Sequence, residues 1–272
     1  MGRGRRAMKR IACLLLVPVL ALPALHAREL RVCADPNNLP YSNQAGEGFE
    51  NRIVALLAEA MDAEVRYTWW AQRRGAVRNT LAAHECDLIP GVASSSGVTG
   101  TTDPYYRSAY VFVSRADAPF GDLASFDDPR LPGLEVGVQL IGDDGANTPP
   151  AHALSRRGMA ANVRGYMVYG DYRDRTPQSA IIDAVASGEL DVALVWGPTA
   201  GYFAAKSPVP LRLVPVTPWL DGPQWPMVFD VSMGVRRDDP ELRRELDQLL
   251  RGHAGEIRAI LAGYHVPLID PP

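Results

Sequence analysis

From Glu29 to Gly263 the chain alternates short apolar runs of strand character with longer stretches whose apolar residues recur at helical spacing. No other feature constrains the fold as much. A strand rejoins its sheet in parallel only through a crossover of a dozen or more residues, usually a helix. Strands alternating with helices therefore predict βαβ units with right-handed crossovers. In the first unit, "ELRVCAD" (29–35), "EVRYTWW" (64–70) and "CDLIPGV" (86–92) read as strands. Between them, 48–63 carries Phe49, Ile53, Leu56, Leu57 and Ala60 on one helical stripe, and 73–85 has the spacing of a second helix. The second unit runs through strands 134–141, 162–169, 190–196 and 211–216, with helices 149–158, 178–189 and 198–206; the stretch 117–132, rich in Pro and Asp, is irregular. Strands "YVFVSR" (110–115) and "FDVSMGVRR" (229–237) join the halves, and helical material follows from Pro240. The prediction is an α/β fold of two lobes joined by two crossing strands: 28–112 with 229–272, and 113–228. Ligands of open α/β sheets bind beyond the carboxyl ends of the strands. Loops 35–49, 70–74, 91–104, 139–149 and 196–199 are thus expected around one shared cleft.

The first 27 residues stand apart. Five basic residues (Arg3, Arg5, Arg6, Lys9 and Arg10) precede an uncharged run from Ile11 to Leu25, and "LHA" ends at Ala27. That is the order of an export signal, with cleavage expected near Ala27 and a periplasmic destination. Fifteen apolar positions broken by Pro18 and Pro23 fall short of the roughly 20 that a membrane span needs. Removing five of the 28 basic residues leaves 23 against 31 acidic ones, about −8. An acidic body disfavours nucleic acid and anionic membranes as partners. The chain by itself is expected to be a monomer.

Export leaves Cys33 and Cys86, 53 residues apart, in an oxidising compartment. They form either one disulfide or two buried thiols acting as small hydrophobes. His84, His152, His253 and His265 are scattered, and no Cys/His cluster suits zinc. Asp143-Asp144 lacks the spaced acidic pattern of an oxygen-ligand cage. Neither metal nor cofactor is expected.

The layout, with "LRVCADPNNLPYSN" (30–43), "GEGFENRI" (46–53) and "DPYYRS" (103–108), resembles the family-3 periplasmic solute-binding proteins. Four longer stretches are similar to the quinoprotein-dehydrogenase-associated MoxJ/XoxJ-type branch: "YTWWAQRRGAVRNTL" (67–81), "GVQLIGDDGANTPPAHALSRRG" (137–158), "GYMVYGDY" (165–172) and "DVALVWGPTAGYFAA" (191–205). The resemblance implies the type II periplasmic binding protein fold and association with a PQQ-dependent methanol or alcohol dehydrogenase. It implies no catalytic activity. In that family's usual strand order the strand holding Cys33 neighbours the one opened by Cys86, although their offset strains the roughly 7 Å Cα limit for a bridge.

Two departures from the wider family bear on the cleft. Its amino-acid binders usually place an Arg about eight residues before the "PY" pair, where it clamps a ligand carboxylate. The matching place here falls near Ser96, and no Arg occurs from Cys86 to Tyr106. Those binders also carry an Asp for the ligand amine five residues after a strand-opening Asp; counting from Asp191 lands on Trp196. Without these anchors the cleft suits an uncharged or aromatic ligand, or none. Contact positions expected in the cleft loops are Asp35, Asn38, Tyr41, Ser94, Gln139, Trp196 and Tyr202, with Glu50 on the first helix. Tyr105 serves either as hinge packing or as a stacking surface. Asn147 and Thr148 before Pro149-Pro150 read as a helix cap whose N–H groups face the cleft. Trp70, Arg73 and Arg74 form either a solvated face, with Arg74 and Arg78 four apart on a helix, or a rim that meets a partner.

The resemblance, together with the missing anchors, places a non-catalytic accessory factor of the dehydrogenase first. Second comes a receptor delivering a small solute, other than an amino acid, to an ABC importer. A dehydratase-like enzyme using the cleft carboxylates Glu50, Asp35 or Asp103 comes third.

Overall fold

The computed structural model describes residues 1–2, 28–142, 147–169 and 172–270. The export-signal reading and Asp143-Asp144 thus lie outside the described residues, except for Met1 and Gly2. Nine main strands carry the fold: β1 (Arg28–Ala34), β2 (Ala63–Trp69), β3 (Leu88–Ala93), β4 (Tyr106–Arg115), β5 (Val136–Leu140), β6 (Val163–Met167), β7 (Val192–Trp196), β8 (Leu211–Pro215) and β9 (Val228–Val235). The helices are α1 (Phe49–Ala60), α2 (Ala76–Asn79), α3 (Pro149–Arg156), α4 (Ala180–Ser187), α5 (Gly197–Ala204), α6 (Pro240–Gly252) and α7 (Ala254–Gly263).

Along the sheet the order is β2-β1-β3-β9-β4-β7-β5-β6, with β8 beside β4 and the two-residue strand Gly100–Thr101 beside β9. Pairing is parallel within each βαβ half and antiparallel where β9 and β4 meet β3, each other, β7 and β8. Each crossing strand is shared. β4 pairs with β9 over Tyr106–Ala109 and with β7 over Tyr110–Ser114, while β9 continues onto β3 from Val231. The fold is the predicted two-lobed α/β architecture. β4 begins four residues before the predicted strand because those residues are the ones that pair with β9.

Each lobe buries its own core. In the first, Leu30, Val32 and Leu88 of the sheet meet Phe49, Ile53 and Leu57 of α1, with Leu246 and Leu261 returning from α6 and α7. In the second, Ile182, Val185 and Phe203 pack on one face of the sheet, and Phe112, Phe126 and Leu154 on the other. Each such fully buried side chain contributes about 1.5–3 kcal/mol through removal from water.

A fourth cluster joins Leu81 and Ile89 to Cys33 and Cys86, whose sulfurs are bonded at a Cα–Cα distance of 5.6 Å. The register Val32↔Leu88 brings the two strands together. This cluster also explains the one helix that falls short of expectation. Instead of 73–85, only Ala76–Asn79 is helical. Gly75 before it is left-handed (φ 85°), and Thr80 leaves helical geometry while its hydroxyl donates to the Ala76 carbonyl at 2.7 Å. The chain then turns Leu81 into the disulfide cluster, where it is 2% exposed. Arg74 therefore lies before the helix, and the Arg74/Arg78 helix face does not exist.

Candidate functional site

α1 places the central group of the cleft. Its N-cap Gly48 has to be glycine: a Cβ there would lie 1.9 Å from the Tyr41 carbonyl oxygen. Asn51 Oδ1 accepts from the Gly48 and Asn43 N–H groups at 3.1 Å each, and the Glu50 N–H donates to the Tyr41 carbonyl at 3.0 Å. Glu50 is thereby fixed in the first turn, 3% exposed, with its carboxyl packed over Gly91. Gly91 has φ +74°, and a Cβ there would meet Glu50 Oε1 at 2.0 Å. Burial raises the Glu50 carboxyl to about 8, and the nearby negative Asp35 adds to the shift. The carboxyl is therefore mostly neutral at pH 7.

Glu50 opens onto a cavity of about 290 Å³ spanning both lobes, lined also by Asn38, Tyr41, Gln72, Gly91, Ala93, Tyr106, Tyr110, Trp196, Phe229 and Val231. Tyr110, Trp196 and Phe229 contact one another edge to face, with centroids 5.2, 5.8 and 6.4 Å apart. The Trp196 N–H donates to Gln139 Oε1 at 2.9 Å, which fixes the end of β7. No Lys, Arg or His lines this cavity among the described residues.

The lobes also touch directly across the cleft. Asp35, 2% exposed at the end of β1, accepts from the Asn37 and Gln72 N–H groups (2.9 and 2.8 Å) and from the Tyr172 hydroxyl of the other lobe (2.7 Å). The Arg73 guanidinium lies over the Tyr172 and Tyr169 rings, 5.2 and 5.8 Å from their centroids. Gln178 Nε2 donates to the Asn37 carbonyl (3.0 Å) and to Asn38 Oδ1 (3.2 Å), Asn37 Nδ2 donates to the Asp174 carbonyl (2.7 Å), and the Tyr41 and Thr199 hydroxyls share a hydrogen bond (2.8 Å).

Four of the residues singled out from sequence thus come together around the cavity: Asn38, Tyr41, Glu50 and Trp196. Asp35 and Arg73 belong to the lobe-to-lobe contacts, and Gln139 stands behind Trp196. Trp70 is exposed on the rim while Trp69 stacks on Tyr67, centroids 4.5 Å apart. The other assignments fall elsewhere. The Ser94 hydroxyl bonds that of Ser232 at 2.6 Å in the sheet. Tyr105 packs on Tyr106 and accepts from the Gly91 N–H, and Tyr202 stacks on Tyr264 in a separate, wider groove that Arg52, Arg175 and Lys206 also line. Thr148 caps α3, and Asn147 accepts from the Ile141 N–H. Asp103, expected in a cleft loop, is exposed and paired with Arg251 at 2.5 Å. Sequence reasoning did not single out Gln72, Tyr110, Phe229 or the Tyr172 and Gln178 contacts. Tyr110 and Phe229 sit on the crossing strands, and only the β4/β9 register shows which of their side chains meet the cleft.

Two lobes sharing one sheet through a pair of crossing strands, with a cavity at their junction, define a type II periplasmic binding protein. No family model matches the chain. Protein MoxJ of Methylorubrum extorquens AM1 is 34% identical over 255 residues, covering 89% of this chain and 82% of that protein. The crystal structure of the periplasmic binding protein XoxJ from Methylobacterium extorquens AM1 is 39% identical, with a TM-score of 0.71, and the match covers 89% of this chain and all of XoxJ. MxaJ from Methylophaga aminisulfidivorans MPT is 28% identical with a TM-score of 0.73, over 88% of this chain and all of MxaJ. The chain belongs to the MoxJ/XoxJ family of periplasmic binding proteins.

Proposed function

We propose that this protein is a periplasmic, non-catalytic accessory factor that binds a PQQ-dependent methanol or alcohol dehydrogenase during its maturation or activation. The single observation that carries this reading is the match to MoxJ and XoxJ across about nine-tenths of the chain. The cleft supports it. An amino-acid receptor needs a cation for the ligand carboxylate, and the cavity lining offers Trp196 and a buried neutral Glu50 instead. Direct contacts between the lobes, Asp35 to Tyr172 and Tyr41 to Thr199, further suit a body that presents a surface to a partner. In this reading the lobes are 28–112 with 229–272 and 113–228, the export signal is removed near Ala27, and the mature protein carries about −8. Affinity capture of the exported protein from periplasm tests it. A quinoprotein dehydrogenase is the expected companion, and an importer permease in its place would favour a solute receptor.

A further inference from the structure

We propose that the cavity between Glu50 and the Tyr110–Trp196–Phe229 rings is a binding site for a small organic ammonium ion. Among the described residues Glu50 is the only carboxyl in the lining, and no described side chain makes a hydrogen bond or ion pair with it. A buried carboxyl of that kind is stable as the neutral acid and becomes a counter-ion once a cation enters. Aromatic rings grouped around one acid are the surroundings that attract a desolvated ammonium, through the negative faces of the rings. Anions are disfavoured, because no described residue of the lining is a cation and Asp35 adds negative potential. Zwitterions lack an anchor for their carboxylate. The volume, about 290 Å³, lies at the small end of ligand pockets. This inference stands apart from association with a dehydrogenase and is tested on the isolated protein.

Groups facing Glu50 come from several elements: Asp35 from the end of β1, Tyr41 from the following loop, Tyr67 from β2, and Tyr105 and Tyr106 from β4. Burial pushes all four tyrosines up, so they stay neutral where Glu50 titrates. An entering ammonium ion then displaces one proton, which leaves Glu50 for the buffer as the ion pair forms. Below about pH 8 the ionised fraction of Glu50 rises roughly tenfold per pH unit, so affinity should climb tens-fold from pH 6 to pH 8 and level off above.

The experiment is calorimetric titration of the mature protein with choline, tetramethylammonium and methylammonium, and with 3,3-dimethylbutan-1-ol as the uncharged counterpart of choline. At least one ammonium ion should bind, with proton release at pH 7 and the stated pH dependence, and choline should bind at least tenfold more tightly than the alcohol. Glu50→Gln should weaken ammonium binding tenfold or more and remove the pH dependence. Trp196→Leu should weaken it at every pH while keeping the dependence, and so serves as a second variant if Glu50→Gln fails to fold. The proposal is overturned if none of the three cations binds, if the alcohol binds as well as choline, or if affinity is the same at pH 6 and pH 8.

Discussion

A carboxyl group enclosed by tyrosines makes folding sensitive to pH in a direction opposite to that of most acids. Glu50 rises from an ordinary 4.5 to about 8 on folding. Between those values the unfolded chain gives up the proton while the folded chain keeps it, so Glu50 costs the folded state stability progressively from about pH 4.5 upward and by a constant amount above about pH 8. At about 1.4 kcal/mol per unit, the rise from 4.5 to about 8 makes the full penalty on the order of 5 kcal/mol. Glu50→Gln cannot ionise. It should match the wild type near pH 4.5 and exceed it by a few kcal/mol at pH 8, read from urea unfolding at the two pH values. Equal stabilities at pH 8 would show that Glu50 is not held neutral. A second residue-scale prediction concerns Tyr172, whose hydroxyl is one of three donors to buried Asp35. Tyr172→Phe should cost about 1–2 kcal/mol and increase amide exchange at Asn37 and Gln72. Unchanged exchange at both would mean that this contact does not hold the lobes together.

At the scale of elements, the Cys33–Cys86 bond ties β1 to the approach to β3 across a sequence separation of 53. Closing a loop of that length in the unfolded chain corresponds to about 4 kcal/mol of stabilisation. Reduction should lower the melting temperature by about 8–16 °C for a chain of this size, and the unreduced protein should weigh two hydrogens less than the dithiol. A mass with both hydrogens present would refute the bond. The same cluster marks where sequence was readable and where it was not. The nine main strands follow from short apolar runs, and α1 from the 3.6-residue stripe of Phe49, Ile53 and Leu57, because burial of one face decides both. The segment 73–85 has helical spacing as well. There a tertiary demand, seating Leu81 on the disulfide, outweighs local preference, and single-segment periodicity does not register it. In the cleft, Asn38, Tyr41 and Trp196 were legible because they lie in loops or at ends that follow strands, and Glu50 because it opens the first helix beside them. Tyr110 and Phe229 were not, since their place depends on how two distant strands pair.

For the whole molecule, the proposed accessory role asks the cleft to refuse common solutes and the surface to meet a dehydrogenase. A ligand present at 100 times its Kd adds about 2.7 kcal/mol of stability. No common amino acid should raise the melting temperature to that extent, because Trp196 and the Arg-free stretch 86–106 stand where a zwitterion needs charges. A clear rise with any of them would favour the receptor reading. The exposed rim at Trp70, together with Trp219 and Leu220, offers apolar contact area, while Arg73 is engaged with Tyr169 and Tyr172. With the export signal removed as proposed, a charge of about −8 should speed encounter with a basic face on the proposed dehydrogenase, an effect that salt screens. The most direct test of the proposed association is sedimentation of the purified protein, residues 28–272, mixed with a PQQ dehydrogenase from the same organism, in apo and holo forms, at low and high salt. A discrete heavier species is expected with at least one form, weakening as salt rises; two independent boundaries with both forms at low salt would contradict the association.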